Sequence, residues 1–66
     1  MIDLKTLTND DVGKFVLYKT PFKKERGRIK SWNDKWIFVV YKCGGEWHNY
    51  KSYTAAATDP KDLSFL

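Results

Sequence analysis

The chain has 66 residues, with 12 Lys and Arg against 8 Asp and Glu and a net charge of +4. This length allows one domain, residues 1–66, with a small core, because a chain this short buries only about 60% of the surface its unfolded form exposes. Its one cysteine, Cys43, excludes an internal disulfide, and Cys43 with His48 falls short of a four-ligand zinc site, so neither metal nor cofactor is expected.

Rings make up 17% of the residues, enough to build a small core without any ligand. The lone thiol suits a reducing cytoplasm. The acidic N-terminus "MIDLKTLTNDD" lacks the apolar run of a secretion signal, and the longest apolar run, 36–41, is too short to span a membrane. Charge is unevenly spread. Residues 14–51 carry ten cations against three acids, a balance of +7, and the ends carry −3. A basic centre suits a polyanionic partner, although surface lysines also serve solubility alone.

Residues 1–10 read as an N-terminal extension, with Thr8 and Asp11 spaced as a capping box for one helical turn. Gly13 marks a tight backbone position. "KFVLYK" (14–19) predicts a strand, and "TPFKKERG" (20–27) predicts a charged loop opened by Pro21. "GRIKSW" and "KWIFVVY" predict a hairpin about Asn33-Asp34, residues that favour turns. A loop of Asn33-Asp34, or of 32–35, gives one register in which Ser31 faces Trp36, Ile29 faces Phe38 and Gly27 faces Val40. Alternation then puts Ile29, Trp36, Phe38 and Val40 on one face as the expected core. Arg28, Lys30, Trp32, Ile37, Val39 and Tyr41 share the other face.

"KCGGEW" (42–47) predicts a turn through Gly44-Gly45, and "HNYKSYTAAAT" (48–58) a fourth strand whose alanines suit close packing. Asp59-Pro60-Lys61-Asp62 has the cap, the proline and the first-turn acid of one helical turn, and "LSFL" (63–66) predicts the last strand.

The resulting all-β pattern, five short strands with a 3-10 turn before the last, resembles a small SH3-like barrel of the Tudor or KOW kind. In finer detail "DVGKFVLY", "GRIKSWNDKWIFVVY" and "AAATDPKDLSFL" look like a group of small uncharacterised phage and prophage proteins. The likeness covers residues 11–66 and differs from compact relatives in the longer connection "KCGGEWHNYKSY". The resemblance implies a phage-encoded accessory protein in the cytoplasm of a bacterial host. It implies no activity, so function has to come from sites.

Cys43 and His48 lack the third group of a nucleophilic site, and the paired acids sit where caps are expected, so no enzyme is expected. The main candidate is a nucleic-acid surface for DNA or RNA. Arg28, Lys30, Lys35, Lys23, Lys24 and Arg26 would neutralise phosphates, and Trp32 would stack on a base. The competing reading has Trp32 covering the stems of Arg28 and Lys30. The alternative function is a protein adaptor that meets a host or phage protein through Trp47, Tyr50 and Tyr53. With Trp32 these rings could also form an aromatic cage, or simply pack in the core. A monomer is expected over an oligomer, with strand 14–19 as the edge through which copies would pair.

Overall fold

The computed structural model describes residues 1–66 and contains five strands: β1 (Phe15–Thr20), β2 (Lys23–Trp32), β3 (Ile37–Val40), β4 (Ala56–Thr58) and β5 (Leu63–Phe65). All pairings are antiparallel, in the order β4-β3-β2-β1-β5. The sheet is open, with β4 and β5 at its edges. Helical structure is confined to 3-10 turns at Leu4–Thr6, Asn9–Asp11, Trp47–Ser52 and Pro60–Asp62. None is long and apolar enough to cross a membrane.

Strand β2 joins the two halves of the sheet. It pairs with β1 from Lys23 to Arg28 and with β3 from Arg28 to Trp32. Its first half corrects the expected loop over 20–27. Thr20 pairs with Lys23, so Pro21-Phe22 is the whole turn and the charged residues are strand. Proline needs no ladder hydrogen bond at a turn position, and the Thr20 hydroxyl accepts the Phe22 N–H at 3.3 Å. Strand β1 is hydrogen-bonded on both sides, to β2 and β5. It is therefore not an edge, and pairing of copies through 14–19 is blocked.

The β2–β3 hairpin also differs from its expected register. Trp32 faces Ile37 and Ser31 faces Phe38, which leaves a four-residue loop, 33–36. Asn33 closes this loop. Its Oδ1 accepts the N–H of Lys35 at 2.9 Å and of Trp36 at 2.7 Å, and its own N–H donates to the Trp36 carbonyl at 3.0 Å. Between Ile29 and Ser31 the register slips again, at a bulge, so that Ile29 faces Val39 and Arg28 faces Val40. A one-residue slip reverses which face later side chains occupy. Ile29, Trp32, Ile37 and Val39 therefore share the core side. Trp36, expected in the core, is 42% exposed on the loop, Phe38 is half-buried, and Val40 is buried on the opposite face.

The main core comprises Ile2, Val16, Ile29, Ile37, Val39 and Leu63, with Leu4, Leu7, Tyr18, Trp32 and Tyr41 packed around it. Each fully buried aliphatic side chain stabilises the fold by about 1.5–3 kcal/mol. The N-terminal segment belongs to this core, because Ile2 is buried and its N–H donates to the Pro60 carbonyl at 3.0 Å. A smaller cluster of Val40, Cys43 and Tyr50 lies apart, with Trp47, Tyr53 and Ala55 against it.

The expected fourth strand over 48–58 is mostly something else. Trp47–Ser52 is 3-10, and β4 begins only at Ala56. The segment is kinked at Asn49, and Trp47 packs against the cluster that contains Tyr50. Ala56 and Ala57 are exposed on an edge strand and are not the crowded contacts expected of them. The terminal turns form as expected. The Thr8 N–H donates to Asp11 at 2.9 Å, and Asp59 accepts the Lys61 N–H at 3.0 Å with Pro60 in the first turn.

Candidate nucleic-acid interface

The β1–β2 register sorts the charges. Phe15 faces Arg28, Leu17 faces Arg26 and Lys19 faces Lys24, and alternation puts these six side chains on the outward face. The intervening pairs, Val16 with Gly27, Tyr18 with Glu25 and Thr20 with Lys23, point to the core side. Lys23 is thereby drawn to Glu25, 3.1 Å away. The outward face of this hairpin is left with Lys19, Lys24, Arg26 and Arg28 and no carboxylate of its own.

At one end of that face, cations and rings alternate. The Arg26 guanidinium lies 5.4 Å from the Trp47 ring centre and 5.6 Å from that of Phe15. The Arg28 guanidinium lies 4.8 Å from Phe15 and 4.2 Å from Tyr50. Phe15 and Trp47 meet edge to face at 5.6 Å. The order is Trp47, Arg26, Phe15, Arg28, Tyr50, an arrangement in which each ring face attracts its neighbouring cation.

The two arginines differ in what they have left to offer. Arg28 is half-buried; its Nε donates to the Gly13 carbonyl and its other fork to the Trp47 carbonyl, both at 2.7 Å. It therefore joins three segments of the fold. Arg26 is exposed and has no carboxylate partner, so its planar fork of donors is free for a phosphate.

No protein-family model matches the chain, and no curated protein or solved structure is significantly similar to it. What the site can do must follow from its geometry.

The candidate residues separate accordingly. Lys24, Arg26 and Arg28 come together. Lys30 turns inward, its Nζ donating to the Tyr53 carbonyl at 2.9 Å, and Lys35 is exposed on the 33–36 loop. Trp32 packs on the main core and lines a shallow cleft with Asn9, Val12, Lys30 and Ser31. The bulge has put it across the sheet from Arg28, so it does not cover the stem of that residue. An aromatic cage of Trp32 with Trp47, Tyr50 and Tyr53 does not form, since Trp32 packs on one cluster and the other three on the second. Within that second cluster Tyr50 is buried, and the Tyr53 hydroxyl donates to the Glu46 carboxylate. That bond, with burial second, holds the Tyr53 phenol above its ordinary value of 10.0. Cys43 is buried and His48 exposed.

Lys19 and Phe15 were absent from the sequence candidates. Both become visible once Pro21-Phe22 is taken as a two-residue turn, because residues of 15–20 and 23–28 then pair one to one.

Proposed function

We propose that the chain is a non-catalytic, monomeric SH3-like module of phage type, acting in the cytoplasm of a bacterial host, and that it binds nucleic acid through the outward face of β1–β2. The strand order and the 3-10 turn before β5 support the SH3-like reading, as does a β2 shared between two half-sheets that meet near Arg28. The observation that carries the binding reading is the segregation of Lys19, Lys24 and Arg26 onto one exposed face beside Phe15 and Trp47, with Glu25 turned to the other side. Exposed cations neutralise phosphates, and rings beside them stack on bases. The protein-adaptor alternative draws less support, because Tyr50 is buried and Tyr53 is bonded to Glu46.

The test is fluorescence anisotropy with labelled single- and double-stranded DNA and RNA over a salt series. Affinity should fall with salt, with a log–log slope of about −0.7 per phosphate neutralised on a single strand or about −0.9 on a duplex. Absence of binding at low salt overturns the proposal.

A further inference from the structure

Phe22 is 97% exposed and belongs to neither core cluster. It stands at the tip of the β1–β2 hairpin, in the two-residue turn that Thr20 and Lys23 close. The ring is carried on a fixed support: Pro21 restricts the backbone before it, and the Thr20 hydroxyl accepts its N–H at 3.3 Å. An isolated exposed apolar side chain needs no explanation by itself. This one stands beside cations, with the Lys19–Lys24 pair one step below the turn.

The hairpin therefore has rings at both ends. Phe15 and Trp47 lie at the base of the hairpin and Phe22 at its tip, with Lys19, Lys24 and Arg26 between them. From Phe15 to Thr20 the strand runs about 17 Å at roughly 3.4 Å per residue.

We propose that Phe22 stacks on an unpaired base of a single-stranded nucleic acid that lies along the outward face of β1–β2. This inference rests on the nucleic-acid reading above and names the class of ligand. A cationic track with a freely accessible ring at its tip suits a single strand, whose bases offer free faces. In a duplex those faces are stacked on one another, and the rings would contact nothing unless base steps were wedged apart. An anionic lipid surface would engage the tip but leave Arg26, midway along the strand pair, and Trp47, at its base, without a role.

The experiment compares the full chain, Phe22→Ala and Phe22→Trp by anisotropy on labelled oligonucleotides of about 12 nucleotides, single-stranded and duplex, and by co-sedimentation with vesicles of phosphatidylglycerol. Phe22 touches neither core cluster, so both variants should fold, which circular dichroism checks. The expected result is tighter binding of the single strand, a roughly 5- to 100-fold loss in Phe22→Ala with the salt slope unchanged, and recovery in Phe22→Trp. Unchanged single-strand affinity in Phe22→Ala overturns the inference and leaves the nucleic-acid reading standing, as does tighter binding of the duplex. Loss of all oligonucleotide binding by the unmodified chain overturns both. Vesicle binding that depends on Phe22, without oligonucleotide binding, also overturns both and assigns the tip to a lipid surface.

Discussion

The Arg28 guanidinium stands 4.2 Å from the centre of the Tyr50 ring, and so ties β2 to the 3-10 turn Trp47–Ser52. With its bonds to the Gly13 and Trp47 carbonyls, Arg28 ties the turn Trp47–Ser52, which no strand pairing joins to β2, to the segment just before β1. Gly13 permits this approach. It has a φ of +89°, and a Cβ there would come within 2.8 Å of the Tyr50 hydroxyl.

Arg28→Ala should therefore destabilise the fold by about 2–4 kcal/mol, through two lost charge-assisted hydrogen bonds and the ring contacts. Arg28→Lys should recover only part of this, because an ammonium lacks the fork that reaches two carbonyls. Urea unfolding followed by tryptophan fluorescence measures both. A loss below about 0.5 kcal/mol in Arg28→Ala would refute the structural role.

Lys24→Ala and Arg26→Ala should each weaken nucleic-acid binding and reduce the salt slope by about 0.7–0.9, with little change in stability. Lys35→Ala, on the separate 33–36 loop, should change neither affinity nor slope. Equal losses in all three variants would point to net charge and not to this face.

Gly27 packs beneath β3, where a Cβ would fall 2.4 Å from Val39 Cγ1 and 2.8 Å from the Val40 carbonyl oxygen. Backbone and a fully buried side chain leave little room to yield, so Gly27→Ala should cost about 1–3 kcal/mol or more. The melting temperature and the urea midpoint should fall together.

Trp36 and Ile37 test the hairpin register. Trp36→Ala should lie within about 0.5 kcal/mol of the parent, whereas Ile37→Ala should cost about 2–5 kcal/mol. The reverse order would restore the register in which Trp36 is core.

Asp11 predicts an acid limb in stability. Its hydrogen bond from Lys14, then that from the Thr8 N–H, holds the carboxyl below its ordinary 3.8 against the opposing effect of burial. The carboxylate's contribution is thus present above pH 3.8 and lost as pH falls through the lower folded-state value. Asp11→Asn should be less stable near neutrality and should flatten this part of the pH profile, read as melting temperature between about pH 2 and 6.

Much of the fold was legible in the residues. The strands about 15–19 and 37–40, the Asp59-Pro60 turn and the closing strand at Leu63 carry local signals that tertiary contacts did not override. Two local signals misled. The lysine-rich run 23–26 resembled a loop because high charge usually marks solvent, yet one side of a solvated strand can be just as polar. Asn33-Asp34 resembled the centre of a loop, either two residues or the four of 32–35, but the Asn33 side chain captured the N–H groups of Lys35 and Trp36 and the loop is 33–36. The short 3-10 turns over Trp47–Ser52 carried no signal that outweighed the β propensity of their rings.

Length, charge and ring content by themselves determined one small all-β domain with a basic centre, because composition bounds the core that can form and propensity acts on neighbouring residues. They also supplied Lys24, Arg26 and Arg28 as candidates. Only the tertiary structure decided which of these remain free, since that depends on register and on groups distant in sequence. The bulge after Ile29 moved Trp32 to the core side, the Gly13 and Trp47 carbonyls engaged Arg28, and the two-residue turn at Pro21-Phe22 brought Lys19 beside Lys24. In a strand a shift of one residue exchanges the buried and exposed faces, so which cations share the outward face depends on pairings that no local signal specifies.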